Sequence, residues 1–282
     1  MSRTWSHVAK SLVLMGLAAL AGCGNRHMVA RHSVTHPPVS TPPASQALPF
    51  ATVARPSFGD AHPVVWPGRT PAMHPVHGMD VSRYQTDIDW HTARAHGVSF
   101  AFIKATEGAD WADPAFAGHW ISAAAAGVPR GAYHFYYFCR SAAEQARWFI
   151  AHVPRERGAL PPVLDIEWNS ASRTCPFRPD PASVRAEVMT FLNTVGRHYD
   201  QRPILYTTLD FWHENQLWLL DGAQPWLRSV AQHPSDAYAD EPWTFWQYSG
   251  TGLVPGVAGP VDVNAFAGSH ASWAVWLAEN TH

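Results

Sequence analysis

The chain has 282 residues, of which 46% are hydrophobic, 12% aromatic and 15% charged; it can bury one large core or two small ones, which excludes a fibrous or wholly disordered chain. A formal net charge of -2 shows none of the basic excess that nucleic-acid binders carry, so nucleic acid is not expected as a partner. The 14 tryptophans leave two uses open until they are placed: filling of core and loops, or stacking on carbohydrate.

The N-terminus reads as an export signal. Arg3, His7 and Lys10 begin it, and an apolar run follows from Ser11 to Gly22. At about a dozen residues the run falls short of the roughly 20 needed to span a bilayer, which suits a signal peptide over residues 1–22. It ends in Leu20-Ala21-Gly22-Cys23, which looks like a bacterial lipobox, with small residues for the signal peptidase and a Cys23 thiol to accept a diacylglycerol. A plain secretory signal with an incidental cysteine, or a short membrane anchor, are the alternatives. A lipid on Cys23 implies a cell-envelope protein held to a membrane. In a Gram-negative cell, Gly24 after the cysteine resembles the pattern sent to the periplasmic side of the outer membrane. Cys139 and Cys175 then remain as an even pair in an oxidising compartment, either bonded or left as two buried thiols.

Residues 23–75 are rich in Pro, His, Ser, Thr and Ala without apolar periodicity, the composition of an extended tether. A short interaction segment around Phe58 to Trp66 is the alternative. From residue 76 to 282, apolar β-type runs alternate with helical patterns. Strands are expected at Gly78–Val81, Val98–Lys104, Arg130–Tyr137, Pro162–Glu167, Pro203–Tyr206, Pro225–Val230, Thr244–Tyr248 and Val261–Asn264. Helices are expected at Asp89–Ala95, Pro114–Ala126, Ala142–His152 and Pro181–Tyr199, with Ser141 in capping-box spacing to Glu144 and Asp180 ahead of Pro181. After Val230 helical patterns fade, so loops are expected between the last strands. The alternation predicts an α/β fold, either a barrel or a doubly wound sheet.

In a parallel barrel the chemistry gathers at the C-terminal ends of the strands. Here these ends carry Asp80, Lys104 with Glu107, Asp165 with Glu167, and Asp262. Residues two apart on a strand share a side, so Asp165 and Glu167 face one space while Ile166 faces the helices. Two carboxyl groups forced together repel, which raises at least one pKa and keeps a proton available near neutral pH. Glycoside hydrolysis needs such an acid, plus a second carboxylate for the oxocarbenium-like centre. Asp-x-Glu alone is weak, since a capping or salt-bridged pair has the same pattern; the other acidic strand ends strengthen it.

Taken together, Gly78-Met79-Asp80-Val81-Ser82, Phe100-Ala101-Phe102-Ile103-Lys104-Ala105-Thr106-Glu107-Gly108, Gly131-Ala132-Tyr133-His134-Phe135, Leu164-Asp165-Ile166-Glu167, Trp246-Gln247-Tyr248 and Val261-Asp262-Val263-Asn264 resemble glycoside hydrolase family 25, the lysozyme-type N-acetylmuramidases. The likeness runs in order from about Gly78 to Phe266. It implies an irregular (β/α)5(β)3 TIM-like barrel and hydrolysis of the β-1,4 bond from N-acetylmuramic acid to N-acetylglucosamine. By position, Glu167 matches the general acid and Asp165 the carboxylate beside it, while Asp80 and Asp262 match the remaining acidic positions of the cleft. Tyr133, Tyr206 and Glu107 fall at substrate-facing strand positions, and Trp246, Gln247 and Tyr248 are expected to line the sugar channel. The chain departs from the family after the sixth strand. Where a Trp-x-Ala-x-Tyr-like pattern is usual, it has Trp226-Leu227-Arg228-Ser229-Val230, which puts substrate contacts on that side in question.

The 17 histidines raise the question of a metal, but none forms a ligand spacing such as His-Glu-x-x-His, so neither metal nor cofactor is expected. His134 beside Tyr133 is expected to hydrogen-bond in the cleft. The expected partners are peptidoglycan glycan strands and a membrane reached through Cys23, with the chain acting as a monomer. A non-catalytic wall-binding lipoprotein and a chitinase-like hydrolase are the competing functions.

Overall fold

A computed structural model of the chain describes residues 54–170, 172–239 and 241–281. These residues belong to one compact unit. The expected signal peptide, the Cys23 lipid site and most of the expected tether lie outside the described residues.

The elements follow the alternation in the sequence. They are β1 (Gly59–Asp60), β2 (His77–Val81), α1 (Trp90–Ala95), β3 (Val98–Glu107), β4 (Trp111–Ala112), α2 (Phe116–Ala125), β5 (Arg130–Phe135), α3 (Ala142–His152) and β6 (Val163–Asp165). Then come α4 (Pro181–Tyr199), β7 (Ile204–Thr207), α5 (Leu209–Asn215), β8 (Gln224–Arg228), α6 (Pro234–Ala237), β9 (Phe245–Leu253), β10 (Val261–Phe266) and α7 (His270–Asn280). Strands β2, β3, β5, β6, β7, β8 and β9 pair as successive parallel neighbours. Strand β10 closes the barrel by running antiparallel between β9 and β2. Each expected strand and helix forms, α3 and α4 with the expected bounds. Ser141 and Glu144 make the reciprocal capping box of α3, and the Asp180 carboxylate accepts the amide hydrogens of Ala182 and Ser183 at the start of α4.

Alternation along the strands divides the apolar residues into two layers. Inward-facing Phe100, Phe102, Val163, Ile204, Trp226, Phe245 and Phe266 fill the barrel, with Trp273 and Leu277 of α7 packed against them. The Phe102 and Trp226 rings meet with centroids 4.5 Å apart, and Phe100 lies 5.4 Å from Trp273. Outward-facing Met79, Ile103, Leu164, Ile166, Leu205 and Leu227 pack under Phe149, Val184, Val188, Phe191 and Val195 of the helices. Gly78 is required by the crowding inside: a Cβ there would collide with the carbonyl and ring of Phe100.

Three expectations are corrected. The last strands are not joined by loops alone, because α6 adds a single turn before β9, and beyond β10 lies an unexpected helix, α7. Trp273, Trp276 and Leu277 are the residues of α7 that pack on the barrel, too short a stripe to announce a core helix by periodicity. Helix α5 was likewise not expected; it is short and follows β7 directly. The expected boundary at residue 76 is too late. Strand β1 pairs with β9, Asp60 Oδ1 accepts the Thr251 hydroxyl at 2.6 Å, and Trp66 stands edge-on to Trp246 with centroids 5.1 Å apart. This strap has no periodicity of its own because contacts with the finished barrel hold it.

Candidate active site

The site is built from inward-facing residues above the aromatic filling. Asp80 on β2, Tyr133 on β5, Asp165 on β6, Tyr206 on β7, Arg228 on β8, Gln247 on β9 and Asp262 with Asn264 on β10 share that side. The registers agree: Asp165 pairs with Tyr206, Arg228 with Gln247, and Asp262 with Asp80. Neighbours in register point to the same face of the sheet. Asp262 arrives by a route the sequence reading did not foresee. It stands at the start of an antiparallel strand, not the end of a parallel one, and the reversal brings that start to the same mouth.

Hydrogen bonds hold the buried Asp80 in place. Its Oδ2 accepts from Gln247 Nε2 at 3.0 Å and from Asn264 Nδ2 at 2.8 Å. Each amide is fixed by a second bond: the Tyr206 hydroxyl donates to Gln247 Oε1 at 2.9 Å, and Trp226 Nε1 donates to Asn264 Oδ1 at 2.8 Å. These bonds orient both amides, so their N–H groups must face the carboxyl. No role is expected for Asn264 from its motif alone, although its place two residues from Asp262 on β10 puts both side chains on one side.

Four acidic groups face the same space. Burial, and then the charge of Asp262, hold the Asp80 carboxyl well above the usual carboxylate range. Burial, and then Glu167, do the same to Asp165. The Asp165 Oδ1 atom is buried without a hydrogen-bond partner among the described residues. Glu167 is raised by burial, with Arg228 pulling the other way and Asp210 and Asp262 adding to the rise. Asp262 is lifted by burial to about 6 against the pull of Arg228. Tyr133 and Tyr206 are kept as neutral phenols by burial and by the surrounding carboxyl groups.

A second group lies at the mouth. Lys104 Nζ meets Glu107 Oε2 at 2.5 Å, and the Tyr137 hydroxyl donates to Glu107 Oε1 at 2.7 Å. Although burial opposes it, these partners hold Glu107 below its ordinary value, which makes it a fixed anion and not a proton donor. The loops beyond β5 and β6 are joined by the Cys139–Cys175 disulfide, with Cα atoms 5.7 Å apart. Beside it Phe138 packs on Trp168, the residue after Glu167, with centroids 5.2 Å apart.

Some expected site residues lie elsewhere. Trp246 is fully buried on the outer side of β9, where it packs against Trp66, His233 and Trp243 and donates to the Ser229 carbonyl at 2.7 Å. Tyr248 shares that side, with its hydroxyl 2.8 Å from His77 Nδ1. Gln247 between them faces inward, so one residue of the three reaches the site, as strand alternation requires. His134 is also outside the cleft, fully buried between Thr106 Oγ1 at 2.7 Å and Gln145 Oε1 at 3.0 Å and stacked on Phe191. Among the described residues no group of three or more His, Cys, Asp or Glu side chains is arranged to hold a metal ion.

The comparisons with known proteins agree with this geometry. Lysozyme M1 of Streptomyces globisporus is 36% identical over 225 residues, covering 73% of this chain and 72% of that protein. The protein YegX of Escherichia coli K12 is 36% identical over 206 residues, covering 71% of this chain and 73% of its own. The solved structure of a family 25 glycosyl hydrolase from Bacillus anthracis superposes with a TM-score of 0.67 at 32% identity, over 77% of this chain and 98% of that one. The family model described as glycosyl hydrolases family 25 matches residues 79–257, and the chain belongs to that family.

Proposed function

We propose that the chain is a muramidase that hydrolyses the β-1,4 bond from N-acetylmuramic acid to N-acetylglucosamine in peptidoglycan. The observation that carries this reading is the pair Asp165 and Glu167, both raised in pKa, at a carboxyl-lined barrel mouth. A raised pKa keeps a proton on Glu167 closer to neutral pH, and that proton passes to the glycosidic oxygen as the bond to C1 breaks. Water then adds to C1 and returns a proton to Glu167, so one water is consumed per bond cut. Asp165 stands beside the charge that develops at C1, and its unpartnered Oδ1 suits the acetamido N–H of the sugar. Asp80 and Asp262 form the facing wall. The name of Lysozyme M1 supports the same reaction class.

The place of action in this reading is the cell envelope, with the chain exported, lipidated at Cys23 and facing the wall. Its support is the apolar run and the Leu20-Ala21-Gly22-Cys23 ending in the sequence. Radiolabelled fatty acid should be incorporated into the wild-type chain in cells and not into Cys23→Ala; equal labelling excludes the anchor.

The reaction is tested by incubating the purified chain with peptidoglycan, reducing the new ends with borohydride and identifying the terminal sugar. Reduced muramic acid is expected. Reduced glucosamine would exclude this bond, preferred cleavage of chitin oligomers would favour the chitinase-like reading, and retention of glycan without new ends would make the chain a binder.

A further inference from the structure

The acidic cleft contains a cation that the catalytic reading leaves without a task. Arg228 follows Trp226 by two residues on β8 and lies in register with Gln247, so it faces the interior beside the Asp80 clamp. It acts electrostatically on Asp80, Glu167 and Asp262. Yet among the described residues its guanidinium makes neither a hydrogen bond nor an ion pair; the hydrogen bond from the Tyr238 hydroxyl, at 2.7 Å, goes to its backbone carbonyl. The other cation at the mouth, Lys104, is already committed to Glu107 at 2.5 Å. Arg228 also stands where the family resemblance breaks, in place of a small residue.

A half-buried guanidinium with free donors is matched to a carboxylate, which its planar fork can bind through two parallel bonds. The substrate of the proposed reaction carries one. Each N-acetylmuramic acid bears a lactyl group whose carboxyl is free in peptide-stripped strands, and whose attached peptides end in carboxylates when they are present. N-Acetylglucosamine has no such group. We infer that Arg228 is a specificity-determining residue that binds a carboxylate on the muramyl side of the glycan. This inference rests on the muramidase reading for its substrate, but its test does not need turnover.

The test measures binding by titration calorimetry in the Glu167→Gln chain, with and without Arg228→Gln. The ligands are a peptide-free tetrasaccharide of alternating N-acetylglucosamine and N-acetylmuramic acid, the same sugar with its lactyl carboxyls converted to neutral methylamides, and the peptide-bearing form. Arg228→Gln is expected to weaken binding of a carboxylate form about tenfold, in line with loss of a charge-assisted pair, and to change the methylamide form less than twofold. Arg228→Lys should recover part of the loss. Loss confined to the peptide-free acid assigns the lactyl carboxylate, and loss confined to the peptide-bearing form assigns the peptide. Equal loss on acid and methylamide would mean that Arg228 only tunes the neighbouring carboxyl groups, and would overturn the inference. No loss on any ligand, or no measurable binding of any, would overturn it as well.

Discussion

Asp262, the second residue of β10, lies directly opposite Asp80 of β2 across the antiparallel pair that closes the barrel. Burial lifts Asp262 to about 6 against the pull of Arg228, and burial together with the facing Asp262 holds Asp80 well above the usual carboxylate range. The folded-state value for Asp262 exceeds the unfolded one, about 3.9. Its stabilising share is therefore complete below pH 4 and lost as the pH rises through about 6. Asp262→Asn is neutral throughout, so relative to wild type it is expected to be more stable at pH 7.5 than at pH 4.5, by about 1–3 kcal/mol. Denaturant melts of both chains at the two pH values check this. The comparison between chains is needed because His74 and His77, which burial holds below their ordinary values, give the opposite trend. A wild-type to variant difference that does not move with pH would contradict the assignment.

Glu167→Gln is expected to lower turnover by about 10²–10⁴-fold, the range for loss of a positioned acid, while leaving the melting temperature within a degree or two. Glu167 makes none of the described hydrogen bonds that hold the barrel together, so its loss should not unfold the chain. Asp165→Asn is expected to reduce turnover strongly. Near-normal release of reducing ends by Glu167→Gln would show that another carboxyl supplies the proton.

The elements of this site were legible to different degrees for physical reasons. Strand alternation announced that Asp165 and Glu167 share a side and that Ile166 turns outward, and Ile166 is indeed buried under the helices. The same rule, applied to Trp246-Gln247-Tyr248, should have sent only Gln247 inward, but aromatic side chains suggested sugar stacking and outweighed it. His134 was misplaced in the same way, through its neighbour Tyr133. The closure of the barrel through an antiparallel β10 could not be read, because the direction of a strand leaves no mark in its own composition. Nor could the hydrogen-bond clamp on Asp80, which joins residues 167 and 184 positions apart.

Removing the Cys139–Cys175 bond is expected to act on substrate binding as well as stability. The bond closes a 36-residue separation, and its loss in Cys139→Ala/Cys175→Ala should cost about 2–4 kcal/mol through the entropy of the unfolded chain. Phe138 adjoins the bond and packs on Trp168, which follows Glu167. A freed loop should therefore raise KM severalfold while the pH dependence of kcat stays unchanged. Urea titration and steady-state kinetics on solubilised glycan measure the two effects. An unaltered KM in the folded variant would show that the bond serves stability alone.

The strap before β2 supplies a test of where the folded unit begins. A chain starting at residue 54 keeps β1 on β9, the Ser57 amide donating to the His96 carbonyl at 2.9 Å, the Asp60 bond to Thr251 and the Arg69–Asp236 pair at 2.5 Å. It also keeps Trp66 over Trp246. A chain starting at residue 76 loses all of these and uncovers the outer side of β9, where Trp246 is otherwise fully buried. Uncovering one large aromatic side chain costs about 1.5–3 kcal/mol, and the lost strand pairing adds to that. The chain from residue 54 is expected to melt like the full-length protein, and the chain from residue 76 to melt several degrees lower and to associate through the bared Trp246 and Tyr248. Because these residues face away from the carboxyl cluster, the fraction of the shorter chain that stays folded should keep its kcat. Equal melting temperatures would show that the strap contributes nothing to the fold, and a lost kcat at full folding would place it in the site.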